Sequence, residues 1–180
     1  LAERMRPKTL DEIIGHEELL GKNKVLRKLI ESDQVSSMIL QGPPATGKTS
    51  IASIISKHTN AEFITLNAVS LSISDLREML NKAKDNLKFY RKRTIVFIDE
   101  IHAMKSNTQM ALLQGVETGT IILIGATTES VTHDLIPPLI SRCKVYVLQP
   151  LTAKHIKTII QKALQDSLQG LGSRRIAINA

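Results

Sequence analysis

Apolar residues along this 180-residue chain fall into two kinds of pattern. Three runs are continuous: Met38-Ile39-Leu40, Ile95-Val96-Phe97-Ile98 and Ile121-Ile122-Leu123-Ile124. Runs without polar alternation predict strands buried on both faces, as in a parallel sheet. Residues 62–66 and Val145-Tyr146-Val147 predict two more strands. Elsewhere the apolar positions recur at helical spacing. Val25, Leu26, Leu29 and Ile30 share a face within 22–32, Ile51, Ile54 and Ile55 lead a helix to about His58, and Leu76, Met79, Leu80 and Ala83 form a third stripe. Thr9-x-x-Glu12 and Ser106-x-x-Gln109 read as capping boxes, the first helix stopping at Gly15 and the second running through Leu113. Pro137-Pro138 opens a short helix, Thr152 N-caps another over 153–164, and residues 169–173 read as a turn. Strands alternating with helices predict an α/β fold, a doubly wound parallel five-stranded sheet.

The first buried run leads into Gly42-Pro43-Pro44-Ala45-Thr46-Gly47-Lys48-Thr49 and then a helical run starting at Ser50. This is G-x-x-x-x-G-K-[ST] in strand–loop–helix context, the P-loop arrangement. Glycines let backbone N–H groups turn onto phosphate oxygens, and the following helix points its positive end at them. Lys48 reaches β- and γ-phosphates, and the Thr49 hydroxyl sits on Mg²⁺. The central run ends in Asp99-Glu100. Two carboxylates at the C-terminal end of a buried strand are costly unless they serve a ligand, and ligands of open α/β sheets bind at that end. Asp99 is therefore expected to hold Mg²⁺, and Glu100 to act as general base on the attacking water. A small-molecule kinase would not need that base, so the pair favours ATP hydrolysis over transfer to a substrate. The next run ends in Thr127-Thr128, polar residues placed to reach the γ-phosphate or the water, although a plain turn explains them equally well.

Charge adds one feature. The net charge of +7 concentrates in Lys82, Lys84, Lys88, Arg91, Lys92 and Arg93, offset only by Asp85. Such a cluster attracts a phosphate backbone, while a solvated helix end explains the same residues. The single cysteine, Cys143, excludes an internal disulfide framework and reads as inert. The five histidines lack metal-ligand spacing. No signal peptide and no apolar run of about 20 residues is present, so a cytoplasmic protein without membrane contact is expected. The chain starts at Leu1 and closes on the polar-apolar pattern of 174–180, which reads as part of a longer protein.

The ordered set of the P-loop, Ile95 to Glu100, Gly125-Ala126-Thr127-Thr128 and Ser141-Arg142-Cys143 resembles the AAA+ ATPases of the clamp-loader clade. Residues 6–15 resemble that clade's N-terminal nucleotide-binding box, which implies that Ile13 and Ile14 contact the nucleotide beside residues 42–50. More narrowly, residues 1–7, Leu66-Asn67-Ala68-Val69, Asp99-Glu100-Ile101-His102 and Gly125-Ala126-Thr127-Thr128-Glu129 resemble the Werner-helicase-interacting ATPase family. The resemblance implies an AAA+ core over 1–150 and the start of a helical lid over 151–180. It implies that Thr128, or Thr127, is sensor 1. Asn67 would swing Glu100 out of line, and Arg142 would be an arginine finger supplied in trans within a homo-oligomer. It also implies DNA-dependent ATPase action in fork maintenance and recombination on forked or single-stranded DNA, nucleoid association, and partners such as single-strand-binding protein. A clamp-loader subunit, a Holliday-junction motor and a nucleotide-gated adaptor are the alternatives. Ala45 departs from the glycine usual at mid-loop, reducing backbone freedom there. Residues 1–180 lack the later lid arginine and an oligomerisation domain, so on their own they are expected to be largely monomeric and weakly active.

Overall fold

The computed structural model describes residues 1–173; the pattern at 174–180 lies outside the described residues. Five parallel strands, β1 (Met38–Gln41), β2 (Glu62–Asn67), β3 (Thr94–Asp99), β4 (Ile122–Thr127) and β5 (Lys144–Val147), stand in the order β2-β3-β4-β1-β5. The continuous apolar runs occupy the three inner strands. Side chains on β3 alternate between the faces: Ile95 and Phe97 join one core with Leu26, Ile30, Ile51, Ile54 and Ile55, whereas Val96 and Ile98 join a second with Leu76, Met79, Leu112 and Leu139. Both faces are thus covered, which is why these strands carry no polar alternation. The first layer comes from α1 (Glu17–Leu20), α2 (Val25–Glu31) and α3 (Lys48–His58), and the second from α4 (Ile73–Tyr90), α5 (Ser106–Glu117), α6 (Val131–Asp134) and α7 (Pro137–Ser141). Edge strands β2 and β5 are only partly buried. All strands run the same way, so their C-terminal ends form a single rim, and the P-loop, Asp99 and Thr127 all lie on it.

Local signals were met unevenly. Thr152 accepts a hydrogen bond from His155 N and caps α8 (Ala153–Gln165) as expected. The two other boxes do not form. Residues Leu10–Glu12 make only a 3-10 turn capped at Ile13 rather than Gly15, and Glu12 instead accepts from Lys8 N and the Thr9 hydroxyl. The N-cap of α5 is Lys105, which puts Ser106 inside the helix. Gln109 turns inward, 1% exposed, where its Nε2 donates to the carbonyls of Met104 and Asp134 and its Oε1 accepts from Ile136 N. A buried amide with three backbone partners satisfies more groups than a cap bond would. Val25 opens α2 exposed instead of facing the core.

Candidate active site

The P-loop bridges the end of β1 and the start of α3. Gly47 is its N-cap at φ +95, a left-handed conformation that favours glycine. Ala45 also lies in that region, at φ +62, so the mid-loop alanine holds a conformation that a side chain disfavours. Three contacts fix the loop from within. The Thr46 hydroxyl donates to Pro43 O at 2.8 Å, and the Lys48 ammonium donates to Gly42 O at 2.7 Å and Pro43 O at 2.9 Å. Lys48 is buried; desolvation lowers its pKa, and the Glu100 and Asp99 carboxylates oppose that shift. The loop after β1 and the Asp99-Glu100 pair after β3 leave the same rim of the sheet.

Asp99 ends β3 half-buried, one oxygen accepting from Glu100 N at 3.1 Å. Glu100 takes a left-handed backbone, φ +52 and ψ +45, which turns the chain off the strand into the 3-10 turn Ile101–Ala103. Its Oε2 accepts from the Thr128 hydroxyl at 3.4 Å and lies 3.3 Å from His102 Nδ1. His102 Nδ1 is also 2.9 Å from Thr127 Oγ1, and Thr127 O accepts from Gly42 N at 3.1 Å, so the ends of β3 and β4 and the start of the P-loop form one connected set.

A cavity of about 600 Å³ adjoins the loop. Ile13 and Ile14 line it opposite Ala45, Gly47 and Ser50, with Leu151 and Ile159 closing the side toward α8. Lined by these apolar side chains and by the polar Glu12, Lys162, Gln165 and Asp166, a cavity against a phosphate cradle suits a purine base with its phosphates. Asn67 stands opposite Asp99 in the β2–β3 register, but its Oδ1 accepts from Val69 N, and among the described residues the protein contacts of the Glu100 carboxylate are Thr128 and His102. Arg142 lies on the other rim. It follows α7, half-exposed and 3.2 Å from a Glu117 oxygen, just before Lys144, which pairs with Met38 at the start of β1. The length of β1, on the order of 10 Å, separates that position from the loop.

His16 escaped the sequence reading. It is 1% exposed, and its Nε2 lies 2.7 Å from Thr46 O, tying the segment before α1 to the P-loop. No spacing or periodicity marks it; only burial reveals it. Around Asp99 and Thr49 the donors are hard oxygens, one carboxylate and one hydroxyl, both half-buried. Among the described residues no group of three or more metal-ligating side chains exists. That set fits Mg²⁺ completed by phosphate oxygens and water, not an all-protein cage.

The sequence profile described as ATPase family associated with various cellular activities (AAA) matches residues 38–151. Replication-associated recombination protein A of Haemophilus influenzae is 42% identical over 178 residues, covering 99% of this chain and 40% of that protein. ATPase WRNIP1 of Dictyostelium discoideum is 42% identical over 198 residues, covering 99% of this chain and 22% of the relative. Among solved structures, the Holliday junction branch migration motor RuvB of Thermotoga maritima superposes with a TM-score of 0.73 at 29% identity, covering 90% of this chain and 54% of the other. The chain thus spans about two-fifths, or less, of the length of these two curated relatives.

Proposed function

Because this chain belongs to the AAA family of ATPases, we propose that it hydrolyses ATP at the P-loop of residues 42–49 and that the protein carrying it spends this energy on DNA during replication and recombination. One observation carries the chemical part: the P-loop after β1 and Asp99-Glu100 after β3 leave the same rim of the sheet, joined through the end of β4, where Thr127 O accepts from Gly42 N and the Thr128 hydroxyl donates to Glu100, while Ile13, Ile14 and Ser50 line the cavity that adjoins the loop. Backbone N–H groups of 42–49 and Lys48 bind the β- and γ-phosphates, and Ile13 and Ile14 seat the base. Thr49 and Asp99 would hold Mg²⁺, which when bound neutralises phosphate charge. Glu100 takes a proton from water as its oxygen attacks the γ-phosphorus, and the bond to the β-phosphate oxygen breaks to release ADP and phosphate. The Thr128 hydroxyl orients the same carboxylate or the γ-phosphate.

Arg142 belongs to a neighbouring copy's site. Its place on the rim opposite its own P-loop supports this reading, and a guanidinium fork supplied in trans is worth about 10³–10⁵ in rate. A homo-oligomer follows, with residues 1–150 as the nucleotide core and α8 opening a lid. The likeness to replication-associated recombination protein A and to a Holliday junction branch migration motor supports DNA as the substrate; forked or single-stranded DNA, single-strand-binding protein and a cytoplasmic, nucleoid-associated setting complete the proposal. No helix among the described residues is long and apolar enough to cross a membrane. The test is steady-state ATP hydrolysis by the full natural protein with and without forked and single-stranded DNA. Stimulation by DNA is expected; turnover indifferent to every DNA tried favours a nucleotide-gated adaptor instead.

A further inference from the structure

Glu100 has to present its carboxylate in one direction, yet its backbone sits at φ +52, in the left-handed region that a side chain disfavours. Its surroundings must therefore hold it. The 3-10 turn that follows is anchored firmly. Ile101 is fully buried and packs so closely on β4 that a Cβ on Gly125 would meet its Cδ1 at 2.9 Å. Ala103 N donates to Glu100 O, Met104 N donates to Ile101 O, and Gln109 holds Met104 O. This fixed turn delivers the His102 ring, about a quarter exposed, into the space between Glu100 and Thr127. Its Nδ1 lies 2.9 Å from Thr127 Oγ1 and 3.3 Å from Glu100 Oε2. Thr127 Oγ1 accepts from Glu129 N at 3.0 Å and its hydroxyl donates to Glu129 O at 3.5 Å, so the hydrogen shared with His102 comes from the ring, which places it on Nδ1. Glu100 Oε2 flanks that N–H at 3.3 Å, a charge contact beside the hydrogen bond to Thr127.

We propose that His102 is a positioning residue for hydrolysis, latching Glu100 to the end of β4. With its ring held by Thr127, His102 stands against Oε2, which also accepts from the Thr128 hydroxyl, and leaves Oε1 to take the proton from water. Thr127 anchors the ring, and because Thr127 O also accepts from Gly42 N, the latch is continuous with the P-loop. This inference rests on the reading of Glu100 as general base.

The test compares kcat, KM for ATP and nucleotide Kd in the full natural protein carrying His102→Ala, His102→Asn, His102→Gln, Thr127→Val or Glu100→Gln. Asparagine places an amide N–H where Nδ1 stood; glutamine places it near Nε2. The His102→Ala change should lower kcat roughly ten- to a hundredfold, as misplacement of a reacting group does, with KM and Kd unmoved. His102→Asn should recover most of the rate and His102→Gln should not. Thr127→Val should lower kcat and add little to His102→Ala in the double variant. Asparagine no better than glutamine, an effect on Kd in place of kcat, or wild-type kcat in His102→Ala while Glu100→Gln is inactive would each overturn the latch and leave the base assignment standing. Wild-type turnover by Glu100→Gln would remove the base assignment itself.

Discussion

Ala45 places a methyl group at φ +62 in the middle of the phosphate-binding turn. The left-handed region costs an alanine roughly 1 kcal/mol relative to glycine, partly offset by glycine's greater entropy when unfolded. Ala45→Gly should therefore hold or raise stability by up to about 1 kcal/mol in urea unfolding and leave nucleotide affinity intact; a clear loss would mean that the alanine is not strained. Cys143 behaves as its pattern suggested. Burial pushes its thiol up to about 11, which keeps the thiolate fraction near pH 8 about a hundredfold below that of a free cysteine. Alkylation should be correspondingly slow in the native protein and fast in urea. Because the folded-state pKa is raised, the thiol's contribution to stability is full below the ordinary cysteine pKa and declines as pH rises toward 11. The P-loop and Asp99-Glu100 were legible because their chemistry is written in residue type and order. His16 and His102 were not, because a lone histidine gains meaning only from what surrounds it, here the carbonyl of Thr46 and the carboxylate of Glu100.

At the scale of elements, continuous apolar runs were the dependable signal: β1, β3 and β4 lie inside a sheet covered on both faces, and nothing local competes with that burial. Capping patterns failed at Thr9, where Glu12 turns to its near neighbours Lys8 N and the Thr9 hydroxyl, and at Ser106, where tertiary partners hold the Gln109 side chain. Gln109 ties the turn after β3 to the α6–α7 connection, so Gln109→Ala should cost about 3 kcal/mol in urea unfolding, and a loss below about 1 kcal/mol would show those backbone groups finding water instead. The basic cluster is also redrawn. Arg93 is clamped to Asp33 at 2.6 Å and Lys82 pairs with Glu78, which leaves Lys84, Lys88, Arg91 and Lys92 at the tip of α4. There Phe89 and Tyr90 stand 65% and 76% exposed, with the Lys88 ammonium 5.2 Å from the Phe89 ring centroid. Cations beside bare aromatic faces suit single-stranded DNA. Replacing Lys88, Arg91 and Lys92 by glutamine should weaken that binding and flatten its salt slope by about 0.7 per charge removed. Substituting Phe89 and Tyr90 by alanine should weaken it without changing the slope; an unaltered affinity in both sets would return the tip to ordinary solvated surface.

For the whole molecule, the parallel sheet puts the P-loop and Arg142 on opposite rims, so Arg142 stands away from the P-loop of its own copy, as the proposed finger in trans requires. The finger role of Arg142 comes from resemblance alone, since no periodicity assigns an arginine to a neighbouring copy's site. On α8, Ile156, Ile159 and Ile160 are exposed, and Ile159 lines the cavity beside the P-loop. The central claim, one ATP site built from two copies, is tested most directly by mixing. Glu100→Gln lacks the base but keeps its finger, and Arg142→Ala lacks the finger but keeps its base, so each variant of the full natural protein should be inactive alone. Steady-state ATP hydrolysis of the equimolar mixture should recover a substantial part of the wild-type rate, because a Glu100→Gln copy can lend Arg142 to an intact Glu100. A mixture as inactive as its components, or an Arg142→Ala protein that turns over at the wild-type rate, would contradict the shared site.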